Sequence, residues 1–407
     1  MRLFVSTEIG PLRQVLIHRP GQELEQLTPT HLGRMLFDDI PYLAGAQKEH
    51  DLFARTLAEH GARVRYLTDM VAESLGDEAV RRQFIREFIR EGGPIAQYNS
   101  QALEELLSGI QDSKTLVKKT MVGITDQETG LRDAHPLTRL ARQDTRFLLD
   151  PIPNLYFTRD PFTVIQSGVA FSHMRAPARQ RETIYGRYIM AHHPDFKGGV
   201  KAWYHQDIPY SLEGGDVLMI GDGLLCVGIS LRTDAEAIEI LTQRLISDPE
   251  SGVNRVLAMD IPSIRAYMHL DTVFTQLDKT VFTVHPGILP ALRCFLLEKK
   301  GDELCAREMK GSLEQILAGA MGIPKVTLIR CGGQDMIAAH REQWNDGSNT
   351  LCISPGTVIV YDRNRVTNRI LQDHGIKTIE IPGSELARGR GGPRCMSMPL
   401  WRDEVAG

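Results

Sequence analysis

Apolar and polar positions follow a repeated order along the chain. In its third quarter, two apolar runs at residues 215–220 and 224–229 flank a Gly-Asp-Gly turn, which predicts a β-hairpin. A helix is predicted over residues 233–245, where Thr233 begins a capping-box sequence and apolar residues follow at helical spacing. An apolar run at residues 253–259 then predicts another strand, so the order is strand, strand, helix, strand.

The same order recurs in four further parts of the chain. Residues 14–18 and 64–67 are predicted as strands around a helix at residues 46–60. The other copies place strands at 155–158, 164–166, 169–172 and 202–204 around a helix at 181–190, strands at 272–275, 280–284 and 325–329 around a helix at 313–317, and strands at 350–353, 358–361 and 378–381 around a helix at 366–374. Because one ββαβ unit cannot bury its faces alone, five copies predict a closed α/β propeller of five pseudo-symmetric units.

One segment departs from this repeat. Between residues 68 and 147 apolar residues fall at helical spacing in two runs, 84–89 and 103–110, separated by a Gly-Gly-Pro sequence. We interpret this segment as a helical insert between the first two units, since the alternative, a degenerate sixth unit, would need more β-branched runs. The predicted domains are therefore the first unit at 1–67, the insert at 68–147, and the other four units at 148–407.

Composition and charge narrow the class of protein. The chain has 407 residues, with 47 basic against 51 acidic side chains and a net charge of −4, whereas nucleic-acid and anionic-membrane binders usually carry a basic excess. No apolar run approaches the ~20 residues of a membrane span, and the first residues do not resemble a signal peptide. The six cysteines form no Cys-x-x-Cys pair. We therefore expect a cytoplasmic protein with reduced thiols and no membrane or nucleic-acid partner.

Side chains capable of catalysis lie near the openings of different units. They are Asn154, Arg159 and Asp160 in the second unit, Glu213 and Asp216 in the third, His269 and Asp271 in the fourth, and Cys395 near the chain end. Because corresponding ends of propeller units converge on the axis, we expect a nucleophilic thiol, an acid–base imidazole and several carboxylates in one cleft. Each residue alone also has a structural interpretation, such as a core histidine, a glycine turn or a solvated loop.

Several longer stretches form a more specific pattern. They are Glu8-Ile-Gly-Pro-Leu12, Val15-Leu-Ile-His-Arg-Pro20, Phe37-Asp-Asp-Ile-Pro-Tyr42, Phe157-Thr-Arg-Asp-Pro161, Glu213-Gly-Gly-Asp216, Met268-His-Leu-Asp-Thr272 and Arg394-Cys-Met-Ser-Met-Pro-Leu400. Through them the chain closely resembles the bacterial arginine deiminases, within the guanidine-modifying superfamily, over essentially its full length. The resemblance implies the pentein fold, a propeller of five ββαβ units with a helical insert, which agrees with the repeat.

The resemblance also implies a role for each candidate residue. Cys395 would attack the guanidinium carbon of L-arginine, and His269 would give a proton to the departing ammonia and later take one from water. Asp160 and Asp271 would bind the guanidinium nitrogens, and Glu213 would orient or charge His269. The residues implied around the rest of the substrate and its carboxylate are Asn154, Phe157, Arg179, Arg232 and Arg390. The products would be L-citrulline and ammonia, with no metal or cofactor.

Three alternatives stay open at this point. An amidinotransferase of the same superfamily would pass the amidino group to an amine, although the helical insert argues against it. A metal centre could combine His269 and Asp271 with a distant histidine at position 285, 340 or 374. A non-catalytic nucleic-acid binder would use the arginine-rich loop at 388–394, which the net charge disfavours. We expect L-arginine as the small-molecule partner and a homo-oligomer, as is common among soluble enzymes.

Overall fold

The structure, a computed structural model, describes residues 3–131, 136–141, 146–196, 199–301 and 303–405. Its strands are β1 (Leu12–Ile17), β2 (Arg63–Tyr66), β3 (Ile124–Thr125), β4 (Phe147–Leu149), β5 (Phe162–Ile165), β6 (Gly168–Phe171), β7 (Ala202–Tyr204), β8 (Val217–Gly221), β9 (Leu224–Ile229), β10 (Arg255–Asp260), β11 (Phe274–Asp278), β12 (Val281–Val284), β13 (Arg293–Lys300), β14 (Glu303–Met309), β15 (Thr327–Arg330), β16 (Leu351–Ser354), β17 (Thr357–Tyr361), β18 (Lys377–Ile381) and β19 (Met398–Arg402).

Helices connect or flank these strands. They are α1 (Leu32–Met35), α2 (Leu43–Glu59), α3 (Leu67–Ser74), α4 (Glu78–Arg90), α5 (Pro94–Tyr98), α6 (Ser100–Ser108), α7 (Ser113–Val122), α8 (Pro136–Ala141), α9 (Thr183–His192), α10 (Ala235–Ile246), α11 (Leu313–Met321), α12 (Met336–Trp344) and α13 (Arg365–Asp373). Together with the strands they give the mixed α/β content that the repeat predicts.

Five sheets share one topology. In each, an antiparallel pair of strands is joined on one side by a parallel third strand, in the orders β19-β1-β2, β5-β6-β7, β8-β9-β10, β11-β12-β15 and β16-β17-β18. The β8–β9 hairpin turns at Asp222 and Gly223 with φ of 48° and 73°, the left-handed values that a tight hairpin turn requires. The α/β propeller of five units is confirmed.

The end of the chain completes the first sheet. β19 runs antiparallel to β1, with Leu16 opposite Met398, and β1 pairs in parallel with β2. The sequence pattern did not predict this pairing, because the two strands lie at opposite ends of the chain. Since Cys395 is followed by β19 at Met398, closing the ring also fixes the loop that holds the candidate nucleophile.

Two strand predictions need correction. Residues 155–158 were expected to form a strand, but Pro153 begins a 3-10 turn at Pro153–Tyr156, since proline fixes φ for a turn and has no N–H for a sheet. Residues 272–275 were also expected to begin a strand, whereas a 3-10 turn at Leu270–Thr272 comes first and β11 begins at Phe274. The two turns contain the candidate site residues Asn154 and Asp271, whose backbone therefore lies outside the sheets.

A hairpin that the sequence pattern did not predict extends the third sheet. β13 pairs antiparallel with β10 and with β14, which gives a five-stranded sheet in the order β14-β13-β10-β9-β8. Cys294, Leu296 and Leu297 of β13 are buried, but β14 is mostly exposed or half-buried. An edge strand with so little buried apolar surface leaves a weak hydrophobic signal in the sequence.

The segment after the first unit is helical from α3 to α7. It packs against the second unit, where the ring of Phe84 lies edge-to-face on Tyr188 with centroids 5.0 Å apart. Phe84 and Phe88 also face Tyr185, and such buried aromatic pairs add about 0.5–1.5 kcal/mol each beyond their area. Residues 132–135 and 142–145 of the predicted insert lie outside the described residues, and its boundaries stay a prediction.

Two further features bear on the class of protein. All six cysteines have free thiols, and five of them are buried. No helix in the described ranges combines the length and the apolar character that crossing a bilayer requires. The buried thiols outside the loop before β19 pack as small apolar side chains.

Candidate active site

The loops that lead into the first strand of each unit meet inside the molecule. The side chains they supply are Asp160 before β5, Glu213 before β8, Asp271 before β11, Asn349 before β16 and Cys395 before β19. All five are buried. Contacts among these loops, described next, bring the five side chains into one buried site. The fifth unit's Asn349 was not predicted, and its only sequence signal is that it occupies the equivalent place before its unit's first strand.

Cys395 is held at three points. Its backbone N–H donates to Asn349 Oδ1 at 3.0 Å, its carbonyl accepts the N–H of Arg159 at 3.1 Å, and its Sγ lies 3.4 Å from Asp271 Oδ2. Burial and the neighbouring carboxylates, Asp271 first among them, raise the pKa of the Cys395 thiol well above its usual value. The resting site therefore holds a thiol, and a cation beside it would favour the reactive thiolate.

His269 is paired with Glu213. Its Nε2 lies 2.7 Å from Glu213 Oε2, and its Nδ1 lies 4.0 Å from Asp160 Oδ1. Burial alone would lower the pKa of His269, but the charge of Asp160 and the bond to Glu213 raise it to about 9. The ring is thus an imidazolium at neutral pH. A Cβ on Gly215 would lie 2.7 Å from the ring, so glycine is needed there to admit it.

Glu213 stays ionised despite its burial. Burial raises its pKa, but Arg232, together with the bond to His269, lowers it to about 2. Its Oε1 accepts the backbone N–H of Arg175 at 2.9 Å and lies 3.5 Å from Nη1 of Arg232. A carboxylate fixed at both oxygens sets the orientation of the imidazole and keeps it protonated.

Asp160 and Asp271 show the same pattern of contacts. Oδ2 of Asp160 accepts from Nη1 of Arg179 at 2.7 Å, and Oδ2 of Asp271 accepts from Nη1 of Arg394 at 2.8 Å. Oδ1 of each carboxylate is buried and has no hydrogen-bond partner within the described part of the chain. Two such oxygens beside Cys395 are suited to bind the N–H groups of a planar guanidinium ion.

Asp216, the second acid of the Glu-Gly-Gly-Asp sequence, holds the loop that carries His269 through hydrogen bonds. Its Oδ1 accepts the backbone N–H of Leu270 at 2.8 Å, and its Oδ2 accepts the hydroxyls of Ser230 and Thr233, each at 2.7 Å. The predicted capping role of Thr233 is wrong, since Asp234 is the N-cap residue of α10 and makes no side-chain cap bond. The hydroxyl of Thr233 is used for the site instead.

Asn349 joins the two loops on either side of it. Its Nδ2 donates to the carbonyl of Asp271 at 3.0 Å, while its Oδ1 accepts from the backbone of Cys395. A single buried amide thus sets the distance between the nucleophile loop and the loop of the fourth unit. Buried polar groups paired at both ends in this way rigidify a site.

The three predicted carboxylate-binding arginines differ in their surroundings. Arg232 Nη1, and Nε and Nη1 of Arg390, are buried atoms that have no hydrogen-bond partner among the described residues. Arg390, at a φ of 65°, lies over the ring of Trp344, with Cζ 3.4 Å from the ring centroid. Every guanidinium nitrogen of Arg179 instead bonds to Asp160 or Glu182. Its assignment to the substrate carboxylate stays a prediction that needs one of these bonds to open.

Asn154 and Phe157 lie beside the same loops. Asn154 Nδ2 donates to the carbonyl of Met35 at 2.8 Å, which ties the turn before β5 to α1. The carbonyl of Phe157 accepts the N–H of Asp160 at 3.3 Å. A Cβ on Gly391 would lie 2.3 Å from the ring of Phe157, so the loop of Arg390 packs directly on it. Their assignment as substrate-binding residues stays a prediction.

The histidines proposed for a metal centre make other contacts in the part of the chain that the structure describes. Among the residues that the structure describes, no group of three or more His, Cys, Asp or Glu side chains is placed to hold a metal ion. His285 contacts Tyr267 and His340, and His374 bonds to a backbone carbonyl of its own helix. Among the described residues, neither His285 nor His374 is grouped with His269 and Asp271 as a metal-ligand set.

Comparison with known proteins identifies the family. A family model described as arginine deiminase matches residues 33–402. The chain belongs to the arginine deiminase family. It is 48% identical over 404 residues to the arginine deiminase of Treponema denticola, covering 98% of each chain. It is 50% identical over 403 residues to the arginine deiminase of Streptococcus sanguinis, again covering 98% of each.

Solved structures of more distant proteins have the same fold. A dimethylarginine dimethylaminohydrolase adduct with S-methyl-L-thiocitrulline aligns with a TM-score of 0.54 at 14% identity, over 95% of this chain and 99% of that one. The N-terminal domain of ArgZ, covalently bound to a reaction intermediate, aligns with a TM-score of 0.54 at 13% identity, over 96% and 98%. Likeness at this level of identity concerns the fold alone.

Proposed function

We propose that this chain hydrolyses L-arginine to L-citrulline and ammonia. The observation that carries the proposal is the position of the Cys395 thiol beside Asp271, in a buried site where Asp160 and Asp271 each offer a free oxygen and His269 is held protonated. Relatives 48% and 50% identical to this chain are named arginine deiminase, which supports the same substrate.

In the first half of the reaction, the sulfur of Cys395 forms a covalent bond to the guanidinium carbon. The free oxygens of Asp160 and Asp271 bind the guanidinium nitrogens and fix the angle of approach. Arrival of the cation offsets the buried negative charge around Cys395, so the thiol releases its proton to solvent and the thiolate adds to the guanidinium carbon. His269 donates a proton to the departing amino group, which leaves as ammonia while the carbon–nitrogen bond breaks, and an S-alkylthiouronium remains.

The second half restores the enzyme. Neutral His269 takes a proton from water, whose oxygen bonds to the thiouronium carbon. The tetrahedral species then collapses to the urea group of citrulline as the carbon–sulfur bond breaks and Cys395 leaves as a thiolate. The proton of the added hydroxyl passes to that thiolate and restores the thiol. Glu213 keeps His269 oriented, and its charge favours the imidazolium form at the start of each cycle. One water is consumed and one ammonia released.

The other end of the substrate is proposed to face the arginines. Arg232 and Arg390 have buried nitrogens available to an α-carboxylate, and Asn154 and the backbone of Phe157 complete that side of the site. A carboxylate-directed site predicts that agmatine, which lacks the carboxylate, is a poor substrate, since each charge-assisted hydrogen bond lost costs ~1.5–3 kcal/mol. Arg390→Lys should lower kcat/KM for arginine while changing that for agmatine little. Equal turnover of both compounds by the unmodified protein would contradict this assignment.

The assay that tests the proposal uses the purified protein, L-arginine and no added amine. Citrulline and ammonia should form in equal amounts, before and after treatment with a metal chelator. An amidinotransferase would require an amine acceptor and release no ammonia, and a metal enzyme would lose activity with the chelator. Absence of citrulline from arginine would overturn the proposal.

We further propose a cytoplasmic homo-oligomer. Six free thiols are typical of a reducing compartment, and closed homo-oligomers are common among soluble enzymes. Light scattering of the purified protein would measure the mass directly, and a mass equal to one chain would contradict the oligomer.

A further inference from the structure

Two arginines outside the catalytic set make matching contacts. Nε and Nη2 of Arg179 donate to the two oxygens of Glu182, each at 2.8 Å, and Nη1 donates to Asp160 Oδ2 at 2.7 Å. The guanidinium is thus gripped on one edge by a glutamate and directs its remaining nitrogen at a site aspartate. We call Glu182 and Arg179 the local pair, because they are close in sequence.

Arg394 repeats this arrangement with a partner from the other end of the chain. Its Nε and Nη2 donate to Glu8 Oε2 and Oε1 at 3.0 and 3.1 Å, and its Nη1 donates to Asp271 Oδ2 at 2.8 Å. The backbone N–H of Glu8 donates to the carbonyl of Met219 at 2.6 Å, which fixes the glutamate to the third unit. We call Glu8 and Arg394 the distant pair.

Both pairs are buried with the aspartates they hold. A buried guanidinium satisfied on one edge by a bidentate carboxylate has a fixed orientation. Its last nitrogen can therefore bind only one oxygen of the aspartate, and the other oxygen, Oδ1, stays free in both cases. Without the glutamate, the arginine could turn its two-nitrogen edge to the aspartate and occupy both oxygens.

We propose that the local and distant pairs are equivalent positioning devices, each of which keeps one oxygen of Asp160 or Asp271 available to a guanidinium ligand. The inference rests on the proposed function and deepens it, because it explains how the two substrate-binding carboxylates are kept open. It gives Glu8, Glu182 and Arg394 a role that the sequence did not suggest, and it adds the positioning of Asp160 to the predicted contact of Arg179 with the substrate carboxylate.

The test compares two reagents that alkylate Cys395. 2-Chloroacetamidine carries a planar amidinium that binds carboxylates as a guanidinium does, whereas iodoacetamide is uncharged. Glu8→Gln keeps the shape of the side chain but weakens its hold on Arg394. We expect alkylation by chloroacetamidine to slow about tenfold, equivalent to ~1.4 kcal/mol, and alkylation by iodoacetamide to change less than about twofold.

A control and a second variant keep this test decisive. Asp51→Asn removes a bidentate partner of Arg19 at an exposed site and should alter neither rate. Glu182→Gln tests the local pair in the same way and serves if the distant-pair variant folds poorly. Equal slowing of both reagents in the folded variants would mean a structural role only and would overturn the proposal.

A double-mutant cycle locates the effect. In an Asp271→Asn background, adding Glu8→Gln should change the chloroacetamidine rate by less than about twofold, because the distant pair acts through Asp271. Additive losses in the cycle would overturn the proposal. These rates do not require turnover, so an inactive protein that passes the alkylation test would reject the proposed function and not the positioning pairs.

Discussion

Cys395 differs from the other buried cysteines in what its sulfur meets. Its Sγ lies 3.4 Å from a carboxylate oxygen of Asp271, whereas the Sγ of Cys352 donates to the carbonyl of Leu277 at 3.3 Å. Cys395→Ala and Cys395→Ser should each lower kcat by about 10³-fold or more, since neither forms a thiolate. Cys352→Ala should lower the melting temperature and leave kcat nearly unchanged. Citrulline formation and thermal unfolding measure the two effects, and substantial activity in Cys395→Ala would refute the assignment.

The protonation of His269 is controlled by its carboxylate neighbours. Burial favours the neutral ring, but Asp160 and Glu213 raise the pKa of His269 to about 9. Because His269 must be protonated to release ammonia, activity should fall as pH rises through this pKa. Glu213→Gln removes a charge that holds the proton and should move the alkaline limb of kcat/KM down by about one pH unit or more.

A pH series of kcat/KM on both proteins checks this, with Glu236→Gln on the exposed face of α10 as the control. The limbs describe the coupled His–Cys system, so the comparison rests on the displacement between variants and not on an absolute value. An alkaline limb that stays in place in Glu213→Gln would show that Glu213 does not set the charge of the imidazole.

At the scale of elements, the sequence pattern predicted structures whose residues are close together in the chain. The hairpin of β8 and β9 is one example, because two apolar runs and the Gly-containing turn between them lie within about a dozen residues. The propeller units that contain such local patterns were predicted. Residues 155–158 carry strand-forming side chains, yet the 3-10 turn that begins at Pro153 takes the place of the expected strand. Pairing of β19 with β1 leaves no local signal, because the partners are at opposite chain ends.

Site residues that lie in distinctive motifs could be predicted from the sequence. Site residues whose role depends only on contacts in the folded protein could not. Glu213, His269 and Cys395 lie in distinctive sequences, so their types and spacing indicated chemistry. Asn349 lies in no such sequence, and its value comes from two contacts formed after folding. The sequence likewise did not indicate that Arg179 bonds to Asp160, because orientation of a guanidinium depends on packing.

The loop before β16 also contains Asp346, an acidic residue whose burial is predicted to lower the stability of the fold as pH rises. Asp346 is buried at a φ of 60°, a left-handed conformation that Asn tolerates as well as Asp. Burial raises the pKa of Asp346 to about 7, although Arg390 opposes the shift. The stability that the protonated carboxyl contributes is therefore lost as pH rises from its unfolded value, near ~4, through about 7.

Asp346→Asn removes this titration while keeping the loop conformation. The variant should have a higher free energy of unfolding than the unmodified protein at pH 8 and a similar one at pH 4.5. Urea denaturation at the two pH values measures the difference, with Asp373→Asn at an exposed site as the control. Equal or lower stability of Asp346→Asn at pH 8 would show that the ionised carboxylate is stabilised in the folded protein.

At the scale of the whole molecule, the two chain ends lock the ring. The N-terminal segment bonds through Phe4 to Leu400 of β19 and through Val5 to Gln166 of the second unit. The distant pair of Glu8 and Arg394 adds a buried ionic tie between the same ends. Terminal strands commonly fray. Because β19 closes the propeller and directly follows the nucleophile loop, we expect it to be as stable as the core.

Hydrogen exchange tests this cooperativity directly. Amide hydrogens of β19 should exchange as slowly as those of β1, through global unfolding, while those of the exposed edge strand β14 exchange faster through local opening. Leu400→Ala, at a fully buried position, should lower the free energy of unfolding by about 2–5 kcal/mol and speed exchange of β1 and β19 together. Mass spectrometry of peptides covering the three strands provides the readout. If β19 exchanged well ahead of β1, the ring would open at its closing strand without unfolding, and the nucleophile loop would depend on its side-chain bonds alone.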